Sequence, residues 1–152
     1  MSELATGEPV IGAYSHEQAL NILAASDARS LKACAEQVLT GLGDVTVLNN
    51  RTGLVMLPFE DTVKGTAFHL GEVLVAEAHI RLAVSGIEGF GAVTGRDLEQ
   101  AMAMAVIDAA IAIGHDSGPI LAFIEAEDAR QQQADRERLR KVEATRVQME
   151  TF

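Results

Sequence analysis

The spacing of apolar residues along the chain changes from helical to alternating and then back to helical. Before residue 45 the apolar positions recur every three to four residues, which predicts two short helices. Ser15 and Gln18 have the spacing of a capping box for the first helix, and Asp27 or Ser26 can cap the second. From residue 45 to 93, short runs of β-forming residues are separated by Gly, Asn, Asp and Pro, which predicts a sheet.

The predicted strands follow one another too closely for the long crossovers that parallel strands need. The strands are placed near 45–49, 53–60, 66–70, 73–84 and 87–93, with tight turns at Asn49–Asn50, Lys64–Gly65 and Ser85–Gly86. Connections this short permit hairpins, so the sheet should be mostly antiparallel. In the strand 73–84, apolar residues from Leu74 to Val84 alternate with Glu77, His79 and Arg81, which predicts one core-facing side and one polar side.

Two more helices follow the sheet. Thr94 and Asp97 have the spacing of a capping box for a helix over about 97–113. This helix is apolar on nearly all sides, so it is expected at the centre of the fold. The sequence therefore predicts an α+β protein, in which a mostly antiparallel sheet of four to five strands packs with helices from both ends of the chain.

The last part of the chain is predicted to be a long amphipathic helix over 125–152, following a core domain over 1–124. This helix carries six of the twelve basic and seven of the twenty-two acidic residues. Its apolar stripe is thin, consisting of Leu139, Val142, Met149 and Phe152. Isolated helices are marginal in water. Periodicity alone therefore leaves two alternatives open, a helix that docks on a partner or dimer mate and a partly solvated terminal helix.

Composition narrows the classes of function. The 152 residues suit one domain with an aliphatic core, since 48% are hydrophobic but only 4% are aromatic. A formal charge of −10 repels phosphate backbones and anionic membranes, so neither nucleic acid nor a membrane is an expected partner. A single cysteine, the lack of a signal peptide pattern and the lack of a membrane-spanning apolar run predict a cytoplasmic protein.

Candidate chemistry is sparse. Glu77, His79 and Arg81, with His69 or Glu72 from a neighbouring strand, can be drawn as a metal or acid–base site. Polar residues are, however, the default on an outer sheet face, and paired metal-ligand spacings are missing. We therefore favour the structural interpretation and predict no metal site and no catalytic residue.

Asp108 is the most unusual polar residue, because it lies among apolar neighbours on the predicted central helix. An ionised carboxylate is costly there unless it is paired, and Arg81 or Arg96 is the expected partner. The other candidates have structural interpretations. His16 is interpreted as a solvated surface residue, and His115 as a cap at a helix C-terminus. Cys34 is interpreted as a small core residue.

A collinear set of short motifs resembles the G subunit of the phosphonate carbon–phosphorus (C–P) lyase system, the PhnG family. Each motif alone is common, and the specificity comes from their order and spacing over about residues 16–152. The motifs are Arg51-Thr-Gly-Leu-Val55, Gly71-Glu72, Val93-Thr-Gly-Arg-Asp97, Ala105-Val-Ile-Asp108-Ala109 and Ala144-Thr-Arg-Val147. The N-terminal dozen residues and the glutamines at 131–133 depart from the family pattern.

The resemblance implies a non-redox subunit that assembles with the H, I and J subunits. With I, H and L it would support attack of an alkylphosphonate on the ribose C1 of MgATP, releasing adenine and forming ribose 1-alkylphosphonate 5-triphosphate. This chain itself would bind no cofactor and would not be an enzyme alone. The family-matching positions, which are also candidates for partner contacts, are Gly95, Arg96, Asp97, Asp108 and Arg146.

Two alternatives to this function stay open at the level of sequence. One is a free-standing small-molecule enzyme that uses the polar sheet face. The other is a self-associating scaffold, a homodimer in which the helix 125–152 is exchanged between identical subunits.

Overall fold

The computed structural model describes residues 7–150, apart from the side chains of residues 59, 68–70 and 147–150. Phe152 of the predicted apolar stripe lies outside the described residues, as does the side chain of Met149. In chain order the elements are β1 (Pro9–Ile11), β2 (Tyr14–Ser15), α1 (His16–Ala24), α2 (Ala28–Leu39), β3 (Val45–Glu60), β4 (Ala67–Leu82), β5 (Glu88–Thr94), α3 (Leu98–Ile113) and α4 (Ser117–Glu150). This order confirms the predicted α+β class and the long C-terminal helix.

Side-chain caps start the first two helices where the sequence predicts them. The Ser15 hydroxyl accepts the Gln18 N–H at 3.2 Å, and the Gln18 side chain accepts the Ser15 N–H at 2.9 Å. Asp27, not Ser26, caps α2, because its carboxylate accepts the Ser30 N–H at 3.0 Å. Both caps satisfy amides that have no partner within the first helical turn.

Three long strands form the main sheet in the order β3–β4–β5, and both pairs are antiparallel. The five predicted strand segments therefore form three strands, while β1 and β2 make a separate two-stranded sheet. The predicted turn at Asn49–Asn50 is wrong. Both residues pair with β4, and a bulge next to Val47 absorbs the irregularity without breaking the strand. The other two turns are confirmed, with left-handed backbones at Gly65 and Gly86.

The hydrophobic core lies between the inner face of β4 and the helices. The inward residues of β4 are almost completely buried, as the alternation predicts; they are Ala76, Ala78, Ile80 and Leu82. Val84 is an exception at 94% exposed, because β4 ends at Leu82 and Val84 lies in the following turn. Helix α3 crosses β5 so closely that a Cβ added at Gly91 would lie 2.2 Å from the Ala101 carbonyl oxygen.

Helix α4 is one unbroken helix with two different environments. Ile120 and Ile124, in its first part, are fully buried. Contacts with the body continue to Gln131, whose side chain donates to the Ile22 carbonyl at 2.9 Å. Residues 132–146 are all exposed. The domain boundary predicted after residue 124 stays a prediction.

Candidate functional site

The polar outer face of the main sheet is built from pairs of residues on neighbouring strands. Glu77 accepts hydrogen bonds from Arg51 Nε at 2.6 Å and from Asn49 Nδ2 at 3.0 Å, both on β3. The sheet register explains these contacts, because Arg51 is directly opposite Glu77. Glu77 is therefore occupied as the acceptor of an ion pair on the β3 side of the sheet.

The other two predicted residues of this face pair with a different acid. His79 Nε2 lies 3.0 Å from one Glu88 oxygen, and Arg81 donates to the other at 2.8 Å. The Arg81 guanidinium, followed by the His79 imidazole, lowers the pKa of Glu88. The predicted set of three is thus divided between two acids. Sequence reasoning missed Glu88, although the tight turn at residues 85–86 places it directly opposite Arg81.

This arrangement is that of ordinary cross-strand pairs on an exposed sheet face. The paired side chains are 28% to 71% exposed, and ion pairs in such positions contribute little to stability because water screens them. Within the described part of the chain, no group of three or more His, Cys, Asp or Glu side chains is placed to hold a metal ion.

Asp108 lies where α3 meets the free edge of β5, and its partner differs from the prediction. One carboxylate oxygen lies 2.6 Å from His16 Nε2, and the other accepts the Phe90 N–H at 2.9 Å. The predicted partners Arg81 and Arg96 are wrong, because α1 folds back to bring His16 to this edge. Asp108 therefore links the first helix, the edge strand and the central helix.

The prediction that His16 is a solvated surface residue is incomplete, because its imidazole also contacts the buried Asp108 carboxylate. Its side chain is 56% exposed, whereas that of Asp108 is 8% exposed. A buried carboxylate that accepts two hydrogen bonds is well satisfied, so the pair has a clear structural role. The two residues are 92 positions apart, and no local pattern in the sequence connects them.

The turn before α3 contains three family-matching positions. Asp97 is itself the N-cap of α3, since its carboxylate accepts the Gln100 N–H at 3.0 Å. The predicted capping box that starts at Thr94 is wrong, because Thr94 belongs to β5. Lys32 of α2 donates to Asp97 at 2.8 Å, and this hydrogen bond, with that from Gln100, lowers the pKa of Asp97.

Gly95 and Arg96 complete this turn. Gly95 has a φ of 105°, a value that side chains disfavour, and its N–H donates to the Leu74 carbonyl at 2.8 Å. Arg96 is exposed. Gly95 and Asp97 therefore lie where β5 ends and α3 begins, with the exposed Arg96 between them.

Cys34 and His115 lie near the junction of α2 with the α3–α4 connection. Burial raises the pKa of the Cys34 thiol, so it is protonated at neutral pH and a poor nucleophile. His115 caps α3 through its backbone N–H, which donates to the Ala110 carbonyl at 2.9 Å, and its imidazole instead lies 3.2 Å from the Asp116 carboxylate. The predicted capping role of the His115 side chain is therefore wrong.

The far half of the β3–β4 hairpin carries a run of exposed apolar residues. Strand β5 covers β4 only from Val75 to Arg81, so residues 53–60 and 67–74 form a two-stranded ribbon beyond the sheet. We call this segment the β-ribbon. Four consecutive apolar side chains on it are between 43% and 64% exposed; they are Leu54, Val55, Met56 and Leu57.

The second exposed feature is the polar end of α4, residues 132–150, which we call the helical extension. It carries five basic and four acidic residues, including the family-matching Arg146. Its larger apolar residues with described side chains, Leu139 and Val142, are 65% and 60% exposed. Across the described residues, no helix has the length and apolar character needed to span a membrane.

These features define a small α+β protein whose candidate site residues are mostly paired within the chain and which carries two exposed extensions. The model of a family described as phosphonate metabolism protein PhnG matches residues 15–152, and the chain belongs to this family. It is also similar to HtxH of Stutzerimonas stutzeri, described as a candidate C–P lyase subunit, with 30% identity over 125 residues. That similarity covers 75% of this chain and 34% of HtxH, so the chain spans about a third of the length of this relative.

Proposed function

We propose that this chain is a non-redox subunit of a C–P lyase core complex. With the I, H and L subunits it would be required to convert alkylphosphonate and MgATP into α-D-ribose 1-alkylphosphonate 5-triphosphate and adenine. In this reaction a phosphonate oxygen forms a bond to the ribose C1 while the bond from C1 to adenine breaks. The chain contributes to a complex and does not catalyse the reaction alone.

Family membership is the observation that carries this proposal. The PhnG family model matches almost the whole chain, and the similar protein HtxH is described as a candidate subunit of the same system. The described polar side chains are consistent with a subunit role, since Glu77, His79, Arg81 and Asp108 are each engaged with a partner in the chain.

The charge distribution gives independent support. Residues 1–131 contain seven Lys and Arg against eighteen Asp and Glu. Both substrates are anions, and a surface with this excess of negative charge repels them. Their binding is therefore better assigned to another subunit, with MgATP as a substrate of the complex and not a cofactor of this chain.

Deletion of the gene, followed by complementation, tests the proposal in the cell. We expect growth on methylphosphonate as the phosphorus source to be lost and growth on phosphate to be unchanged. In vitro, adenine release from MgATP should require this chain in addition to the I, H and L subunits. Normal growth of the deletion strain on methylphosphonate would refute the proposal, and turnover by the purified chain alone would favour a free-standing enzyme.

The helical extension is a candidate docking element within this function. Arg146 lies on it within a family-matching motif, so Arg146→Glu should weaken co-purification with the H, I and J subunits. Arg136→Glu is a matched control on the same helix, outside that motif. Equal retention of the complex by both variants would exclude Arg146 as a contact and leave docking to other surfaces.

A further inference from the structure

The β-ribbon is apolar on both of its faces. Cross-strand pairing places Leu54 with Leu74 on the face that continues the inner side of the sheet, and Val55 with Val73 on the outer side. Met56 follows on the inner face and Leu57 on the outer face. A strand that served only the core of this chain would be apolar on the inner face alone.

A two-stranded ribbon of this kind is poorly suited to standing alone in water. Isolated hairpins are marginally stable at best, and an exposed apolar edge strand invites pairing with other chains. Strand β3 has no neighbour on its other side along its described length, so its outward amides and carbonyls are also available. Both the side chains and the backbone of the ribbon favour a bound state.

We infer that the β-ribbon inserts into an apolar cleft of another subunit of the complex, which covers both of its faces and presents basic residues to its tip. This inference rests on the proposed function. Eight residues of β3 extend beyond the sheet, which corresponds to a length of about 26 Å. Enclosing both faces of such a ribbon covers an area on the order of the roughly 800 Å² per partner of a stable interface, and one face covers about half of that.

Charge at the tip specifies the partner further. Two acids, Glu60 and Asp61, lie at the tip with a single base, Lys64, and a third acid, Glu72, lies in the middle of the ribbon opposite Met56. A cleft with basic residues at its closed end would complement this charge. At the base of the ribbon, a shallow cavity of about 380 Å³ next to Arg51, Leu54 and Val55 can receive a side chain of the partner.

A second copy of this chain fits the ribbon less well than a different subunit does. A two-fold axis that pairs two ribbons face to face covers one face of each and leaves the other exposed. Insertion into the body of a second copy brings an acidic tip towards a chain of charge −10. Both the two apolar faces and the charge therefore favour a heterologous partner.

The test compares the double variant Leu54→Thr with Val55→Thr against the matched double variant Val47→Thr with Leu48→Thr, which lies on the part of β3 outside the β-ribbon. Both pairs start from similar exposure, and Thr keeps the β-propensity of the ribbon. Affinity of each full chain for the remaining subunits is measured by titration, with thermal unfolding as the check on folding. We expect the ribbon variant to bind about 30-fold more weakly or worse, and the control to stay within about threefold of the wild type.

The outcomes separate the inference from the function on which it rests. A ribbon variant that binds like the wild type overturns the ribbon inference and leaves the subunit role intact, whereas a wild-type chain that binds no subunit overturns both. The single variants Leu54→Thr and Val55→Thr should each weaken binding; an effect of only one would mean that one face is covered. A wild-type homodimer that the ribbon variant dissociates in light scattering would assign the ribbon to a second copy instead.

Hydrogen exchange in the unmodified proteins provides a measurement that does not depend on variants. Amides of residues 53–60 should exchange quickly in the isolated chain and become protected when the complex forms. Unchanged exchange of these amides in the assembled complex would contradict the inference.

Discussion

The two extensions of this protein are both exposed but have opposite chemistry. The β-ribbon shows four consecutive apolar side chains to water, whereas the helical extension carries nine charged residues among nineteen. A helix satisfies its backbone hydrogen bonds internally, and the ribbon leaves the outer edge of β3 unpaired. The comparison indicates that the ribbon is the extension whose chemistry favours a bound state, while the helical extension can remain solvated.

The same difference appears in how each extension is attached. Helix α4 is fixed by buried side chains up to Glu127 and by the hydrogen bond of Gln131, and then leaves the body as a continuous helix. The ribbon continues β3 and β4. The inner residues of β4 from Ala76 to Leu82 are buried in the core, whereas β3 is largely exposed along its described length. Each extension therefore continues an element that is partly buried in the core, and the extension itself lies outside the core.

The largest expected effect on stability is in the buried first part of α4. Ile124 is fully buried, so Ile124→Ala should lower the free energy of unfolding by roughly 2–5 kcal/mol through lost burial and a cavity. Leu139→Ala, on the free part of the same helix and 65% exposed, should change it by less than about 0.5 kcal/mol. Urea denaturation of both variants measures the contrast, and equal losses would show that the helical extension packs on the body.

The next largest effect on stability is expected where β5 packs on α3. A Cβ at Gly91 would lie 2.2 Å from the Ala101 carbonyl oxygen, so Gly91→Ala must displace α3 from β5 and should cost roughly 1–3 kcal/mol. At Gly53, in the ribbon, a Cβ meets nothing within 4 Å, and Gly53→Ala should be neutral within about 0.5 kcal/mol. A cost at Gly53 comparable with that at Gly91 would mean that the ribbon is packed in the isolated chain.

The parts of the fold that depend on neighbouring residues were predictable from the sequence. The capping box at Ser15, the hairpin turns at Gly65 and Gly86 and the buried face of β4 follow from residue types within a few positions of one another. The strand lengths were not predictable in the same way. Asn49 and Asn50 resemble a turn, but pairing with β4 and a neighbouring bulge keep them in one strand.

The candidate site was less predictable, because its contacts join distant parts of the chain. Asp108 was identifiable as a buried acid in need of a partner, but His16 comes from a helix 92 positions earlier. Lys32 and Asp97 are 65 positions apart, and their contact depends in the same way on how the helices pack. Residue type predicts that a buried charge is paired, and tertiary structure decides with what.

A smaller, pH-dependent effect is expected at the cap of α3. Lys32 and the Gln100 N–H hold the pKa of Asp97 below its ordinary value, so the carboxylate stabilises the fold above about pH 4, and this stabilisation is lost as the pH falls through the lowered pKa. Asp97→Ala should therefore cost about 1 kcal/mol at pH 7, and the difference from wild type should shrink in acid.

Asp135→Ala is the control on the helical extension. Asp135 has only a 3.5 Å contact with Arg138 on an exposed surface, so its removal should have little effect at either pH. Unfolding curves of both variants at pH 7 and pH 3 measure the contrast. A cost of Asp97→Ala that does not depend on pH would show that packing, and not the ionised cap, is responsible.

The smallest expected effect comes from removing the helical extension itself. Residues 134–146 are exposed throughout, so a chain that ends at Gln133 should unfold with a free energy within about 0.5 kcal/mol of the full chain, although its circular dichroism loses helical signal. A loss above about 1 kcal/mol would mean that the extension stabilises the body. If stability is unchanged while co-purification with the other subunits is lost, the extension serves binding alone, whereas unchanged binding as well would leave the β-ribbon as the main docking element.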